Sequence, residues 1–181
     1  MKNKQQPLLS PQSYIRTKAR NLPIYASYIN QNWKETGLAT IIVVRKHTVE
    51  KYTLGVFIVD LLAYGTKDSF FRFSIEKHEL EDMVDKPSYG LILTDYALVH
   101  NIIYGANAFA EDNGFKICRE FNLTQNLLEE DTEDIELIDI AFGQDAAAFL
   151  KLGEEGEEFE EKITEGDETD WDEFEELKDD E

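Results

Sequence analysis

Two carboxylates and an ammonium lie close together in the sequence. Asp60 ends an apolar stretch, and Lys67 and Asp68 follow a glycine turn at Gly65. On a strand Asp60 would share a face with apolar side chains, where a carboxylate costs free energy unless it is paired or near water. Two carboxylates holding Mg²⁺, with a lysine stabilising developing charge, are what a phosphoester hydrolase needs. The alternative is a structural ion pair of Asp60 or Asp68 with Lys67 or Arg45 at the turn.

His100 is the second candidate for chemistry. On a helix it would lie one turn from Tyr96 and Tyr104, with Asn107 on the same side. A histidine of near-neutral pKa with an orienting tyrosine or asparagine can act as a general base. The alternative is a buried histidine whose ring bonds to a backbone carbonyl or a tyrosine and holds the helix on the sheet.

Other kinds of site lack support in the sequence. The three histidines and Cys118 match no zinc-ligand spacing, and a single cysteine excludes a disulfide within the chain. The sequence contains neither a glycine-rich phosphate loop nor a nucleophile elbow. We therefore expect no cofactor, and the only metal candidates are Asp60 and Asp68.

Charge is unevenly distributed along the 181 residues, which carry 38 acids and 18 bases for a net charge of -20. Such a charge argues against binding of nucleic acid by the core and against a general binder of anionic membranes. Residues 1–24 hold five bases and no acid, whereas residues 153–181 hold 17 acids and two bases. We predict a basic arm with a short helix (1–21), a core domain (22–152) and an acidic tail (153–181).

The acidic tail is predicted to be disordered, because its apolar residues are too few to offset the entropy of ordering. Trp171, Phe174 and Leu177 are spaced three apart and would share one face of a short helix. Acidic segments with spaced aromatic residues suit docking onto a basic partner with an apolar groove. Two alternatives stay open: a tail that only raises solubility, and a tail that folds back on the basic arm.

The apolar pattern of the core predicts an α+β fold: a predominantly antiparallel sheet of about six strands, packed against a central helix and two or three shorter helices. β-branched runs, alternation and turn residues mark the strands, and caps and apolar stripes mark the helices. The predicted strands are residues 23–29, 38–47, 52–62, 69–73, 135–142 and 146–152. One predicted helix begins at Ser10, and the others span residues 75–84, 94–112 and 123–129.

Several short segments of the core resemble an uncharacterised bacterial protein family. The resemblance covers most of residues 22–152 and implies no activity, cofactor or catalytic residue. Ala63-Tyr64-Gly65 stands where that family has a Cys-Leu-Gly turn, which argues against a thiol role there. The segments are Leu22-Pro23-Ile24, Asn32-Trp33, Gly37-Leu38-Ala39-Thr40, Gly55-Val56-Phe57-Ile58-Val59-Asp60, Gly65-Thr66-Lys67-Asp68-Ser69-Phe70, His100-Asn101, Ile103-Tyr104-Gly105-Ala106, Phe109-Ala110, Gly114-Phe115, Glu136-Leu137-Ile138 and Phe142-Gly143.

Two functions follow as expectations. The first is a non-enzymatic, cytoplasmic interaction protein that binds a protein partner, with the acidic tail contacting a basic surface. The cytoplasmic location is expected because no apolar run is long enough to span a membrane and no apolar signal segment follows the first residues. The second is a metal-dependent hydrolase of phosphoesters or nucleic acid that uses Asp60, Lys67, Asp68 and His100.

Overall fold

The computed structural model describes residues 9–132 and 134–143. The predicted strand 146–152 and the tail 153–181 lie outside these residues. The elements are α1 (Pro11–Lys18), β1 (Ile24–Asn30), α2 (Trp33–Thr36), β2 (Leu38–Lys46), β3 (Lys51–Asp60), β4 (Gly65–Glu76), α3 (Lys77–Val84), β5 (Leu91–Thr94), α4 (Tyr96–Asp112) and α5 (Phe121–Thr124).

The predicted α+β fold is confirmed. Within the described residues one antiparallel sheet has the strand order β4-β3-β2-β1-β5. The β2–β3 and β3–β4 connections are short, so consecutive strands form hairpins. None of the helices in the described ranges is long and apolar enough to cross a membrane.

Both faces of the sheet are covered at its centre, as the two-sided apolar runs of β2 and β3 predict. One face packs against α4, with Ile41 and Phe57 fully buried in that core. The opposite face packs against α3, with Ile42 and Val56 fully buried. Since alternate residues of a strand point to opposite faces, odd positions of β2 and β3 face α4 and even positions face α3.

Two helices begin within two residues of their predicted starts. Ser10 caps α1 by accepting a hydrogen bond from the Ser13 N–H, and Pro11 fits the first turn. Asp95 caps α4 in the same way through the N–H of Ala97. α1 also packs on the body, because Ile15 is fully buried beside Leu127.

The strand predicted for residues 135–142 is wrong. Residues 134–143, which we call the strap, run along α4 and are not a strand. The Asn101 side chain donates to the Glu136 carbonyl and accepts from the Ile138 N–H. An amide side chain thus takes the bonds that a neighbouring strand would provide. Further along, the Phe142 ring covers Gly105 of α4.

The fifth strand, β5, is not among the predicted strands. Its four residues lie between Gly90 and the cap of α4. The sequence pattern predicts an irregular segment here, between the helix that ends at residue 84 and the helix that begins at residue 94. The helix predicted for residues 75–84 begins two residues later, at Lys77. β4 continues to Glu76 through a bulge opposite Thr53, where Ser74 adopts φ 56° and its N–H bonds to the Thr53 hydroxyl.

Candidate functional site

Asp60 is the last residue of β3, and its side chain holds the turn into β4. Its Oδ1 accepts hydrogen bonds from the N–H groups of Leu62 at 2.8 Å and Ala63 at 2.9 Å. Aspartate suits such positions because its short side chain bonds to backbone two or three residues on. Backbone N–H groups at the end of the strand therefore stabilise the Asp60 carboxylate.

Lys67 and Asp68 lie just beyond this turn, in the first part of β4. The β3–β4 register shifts by one residue here, and Lys67 is the extra, exposed residue of the bulge. Asp68 pairs with Ile58 and so faces the α3 side, as Asp60 does by alternation. Its Oδ1 accepts from the Ser69 N–H at 2.7 Å.

His100 is not brought together with these carboxylates. It lies on α4, which covers the opposite face of the sheet, and only 1% of its surface is exposed. Within residues 9–132 and 134–143, no group of three or more His, Cys, Asp or Glu is placed to hold a metal ion. The four candidate residues therefore do not converge on one site.

His100 instead belongs to a polar cluster, which we call the Glu129 cluster, in which Arg45 and His100 are buried and the other members are partly exposed. It joins α4 and β2 to the loop that follows the 3₁₀ turn Gln125–Leu127. Its members are Arg45, Tyr96, His100, Tyr104 and Glu129.

Three side chains of α4 contact the peptide groups of Glu129. The Nε2 atom of His100 lies 3.3 Å from the Glu129 carbonyl oxygen, and the Tyr104 hydroxyl donates to the same oxygen at 3.2 Å. The Tyr96 hydroxyl accepts from the Glu129 N–H at 2.7 Å. The His100 ring lies between the two tyrosine rings, with centroids 5.7 Å from Tyr96 and 4.6 Å from Tyr104. One helix face thereby fixes one residue of the loop.

Arg45 approaches the same loop from β2. Its side chain is fully buried and contacts the Glu129 carboxylate at 2.9 Å. Its Nε donates to the Leu127 carbonyl at 2.6 Å, and its Nη1 donates to the carbonyls of Arg20 and Leu22. A guanidinium has five donors in a rigid fork, so one side chain can satisfy several buried acceptors. Arg45 thus connects the chain after α1 with the loop after α5.

Burial shifts the titration of the cluster. It raises the pKa of Tyr96 to about 12 and also raises the pKa of Tyr104. Burial lowers the pKa of His100, against the opposing effect of the nearby Glu129 carbonyl. Both tyrosines therefore stay protonated near neutral pH, and His100 stays neutral.

The geometry of the Glu129 cluster suits a structural tether. A general base must reach the proton that it removes, whereas the ring of His100 is buried and bonded to the backbone. The sequence pattern indicates Asp60 or Asp68 as the partner of Arg45 and does not predict its contact with Glu129. The usable signal was the position of Arg45 on β2, which places it on the same face as Ile41 and Val43.

We expect stability to fall as the pH drops below about 6.5, the ordinary histidine value. Burial lowers the pKa of His47 as well as that of His100. At a pH between the histidine pKa values of the folded and unfolded states, the unfolded chain binds more protons than the folded chain. Lowering the pH through this range therefore favours unfolding, and the loss of stability is complete below the pKa values of the folded state. The measurement is the free energy of unfolding by urea between pH 7.5 and 5.5, above the carboxyl range. His100→Gln and His47→Gln should each flatten the dependence; an unchanged slope in both variants contradicts this attribution.

A second group of polar contacts joins β4 to α5 and to Cys118. The Ser69 hydroxyl lies 2.8 Å from the Thr124 hydroxyl and 3.6 Å from the Cys118 sulfur. Burial raises the pKa of the Cys118 thiol, so it is protonated near neutral pH. Cys118 therefore contributes packing and a weak hydrogen bond here.

The tail residues Trp171, Phe174 and Leu177, proposed for partner binding, lie outside the described residues. Comparison with known protein families, curated proteins and solved structures finds no match to this chain.

Proposed function

We propose that this chain is a non-enzymatic interaction protein that binds a protein partner, and that the acidic tail contacts a basic surface of that partner. The observation that carries the proposal is the composition of residues 153–181, with 17 acids, two bases and a Trp171-Phe174-Leu177 apolar row. Spaced apolar residues give such a segment affinity, and its charge gives attraction to a basic surface. A cytoplasmic location stays a prediction.

The arrangement of the buried polar groups supports the same proposal. The side chains best suited to acid–base chemistry, His100 and the two tyrosines of α4, make internal bonds with the Glu129 peptide groups. Asp60 and Asp68 bond to backbone N–H groups beside them. Among the described residues nothing favours the hydrolase alternative.

The test is capture of partners from the cell that makes the protein, with purified full-length chain as bait. A second bait ends at residue 152, and a third replaces Trp171, Phe174 and Leu177 by alanine. The third bait keeps the net charge of -20, so it separates the contribution of the three apolar side chains to binding from the contribution of the charge. Proteins retained by the full chain are identified by mass spectrometry at about 0.05 and 0.5 M salt, because screening weakens exposed charge contacts at the higher value.

We expect the full chain to retain a basic protein at low salt that the shortened bait loses. The alanine variant should retain it more weakly than the full chain. If the shortened bait retains the same proteins to the same extent, the tail does not bind the partner and the proposal is wrong.

A further inference from the structure

β5 is an outer strand of the sheet. It pairs with β1 through Asn30↔Leu91, Ile29↔Ile92, Tyr28↔Leu93 and Ser27↔Thr94, and the strand order puts it at one end. Among the described residues no strand lies on its other side. Such an edge offers unpaired backbone groups to another chain.

The hydrogen-bond alternation identifies these groups. The Gln31 N–H donates to the Gly90 carbonyl at 2.9 Å, so Gly90 faces β1. In an antiparallel pair the facing residues alternate, which makes Ile92 the next residue bonded to β1. The N–H and C=O groups of Leu91 and Leu93 therefore point away from β1, toward a side where the described part of the chain places no strand.

The side chains of β5 do not protect this edge. Natural edge strands are protected by shortness, lysine, proline or a bulge; β5 is short, but it reads Leu-Ile-Leu-Thr without a charge, a proline or a register shift. Ile92 is 45% exposed on the α4 side and Leu93 is 69% exposed on the α3 side. A strand placed beside β5 would find apolar contacts on both faces.

The charges around β5 select the partner. Tyr28, directly opposite Leu93, lies in the electrostatic field of Asp85 and Glu81 of the α3 region. At the end of the strand Asp95 follows β5 immediately and caps α4. Lys86, near the ring of Tyr89, is a cation in the same region. Carboxylates thus lie on the α3 side of the strand and at its C-terminal end, and a second copy would bring the same carboxylates against them.

We propose that the free edge of β5 binds an extended segment of a partner protein in which apolar residues alternate with lysine or arginine. The segment adds a strand through Leu91 and Leu93, places its apolar side chains on Ile92 or Leu93, and directs its cations to the flanking carboxylates. This recognition mode combines main-chain bonds with alternate side-chain contacts. The inference rests on the proposed protein-binding function but not on the tail.

The test titrates the full-length chain with a ten-residue peptide of alternating lysine and valine. Amide hydrogen exchange, resolved by NMR, should slow about tenfold or more at Leu91 and Leu93. A control peptide of the same sequence, with methylated backbone nitrogens on its pairing side, keeps the charge but cannot complete the ladder. It measures non-specific attraction to the acidic tail, and we expect no slowing with it.

Variants at Leu93 separate backbone pairing from charge. Leu93→Pro removes an N–H that points outward and should weaken binding about tenfold; circular dichroism shows whether the variant folds. Leu93→Lys and Leu93→Glu lose the same apolar side chain and differ only in the charge that they introduce. The lysine variant should bind the basic peptide at least about threefold more weakly than the glutamate variant. Equal affinities of these two variants would overturn the selection for a basic segment.

Three other outcomes overturn the proposal. Peptide binding without slower exchange at Leu91 and Leu93 places the site elsewhere. Amides that are protected in the free chain at every protein concentration show that another segment of the chain covers the edge. Protection that grows with protein concentration shows that a second copy covers it. None of these outcomes concerns the shortened bait, so failure here and failure of the tail proposal are distinguishable.

Discussion

Replacement of Arg45 by alanine is expected to lower the free energy of unfolding by about 3–5 kcal/mol, a large fraction of the total stability of a typical domain. The side chain is fully buried and donates to the carbonyls of Arg20, Leu22 and Leu127. Its loss leaves these acceptors without their donor and leaves the Glu129 carboxylate beside a cavity. Urea denaturation followed by circular dichroism measures the change.

Two other variants keep this prediction testable if Arg45→Ala does not fold. Arg45→Lys retains the charge but cannot reach every acceptor, and we expect a loss of about 2 kcal/mol. Arg20→Ala is the control, since Arg20 is 31% exposed, its partner Glu130 is 70% exposed, and its bonds to the carbonyls of Gln125 and Leu128 are only partly buried. Exposed pairs contribute little, and we expect about 1 kcal/mol there. Equal effects of Arg45→Lys and Arg20→Ala would mean that Arg45 does not hold the two loops.

Replacement of Gly65 by alanine is expected to cost about 3 kcal/mol, from left-handed backbone strain plus a collision with α4. Gly65 has φ +64°, and a Cβ there would lie 2.8 Å from the Asn107 Oδ1 and 3.1 Å from the Ala106 carbonyl oxygen. The same Asn107 oxygen accepts from the Thr66 N–H at 2.7 Å, so displacement of Asn107 also breaks a buried bond. Thermal and urea unfolding measure the loss.

Gly90→Ala provides the control for Gly65→Ala. Gly90 also has a positive φ, +53°, but nothing lies within 4 Å of a Cβ built there. The backbone strain alone should cost about 1 kcal/mol. The difference between the two variants therefore measures the contact of the β3–β4 turn with α4. Equal costs would show that this contact does not stabilise the fold.

Local patterns predicted most of the sheet and the main helix. The β-branched run at residues 41–44 and its apolar partner strand indicate a buried hairpin, which β2 and β3 form. The long apolar pattern of residues 94–112 indicates α4. A short stretch of sequence is enough to predict these elements, because burial on both sides of a strand or along a helix determines the spacing of the apolar residues.

The missed features depend on distant residues. β5 has four residues, too few to show a period, and it is a strand because β1 pairs with it. The strap alternates like a strand, yet the Asn101 side chain binds it. Glu129 lies 84 residues from Arg45 in the sequence, so no local spacing predicts their contact. The Glu129 cluster could therefore be anticipated only in part, from the helix face of His100.

The central claim is that the interior polar groups hold the fold, whereas the function lies in binding at the surface. The direct test is the dissociation constant of the captured partner, measured by isothermal titration with the full chain, with the chain ending at residue 152, and with His100→Gln, each checked for folding by circular dichroism. We predict that His100→Gln binds within about threefold of the full chain and that the shortened chain binds at least about tenfold more weakly, a change of about 1.4 kcal/mol. A folded His100→Gln variant that loses the partner, with unchanged binding by the shortened chain, would contradict the claim.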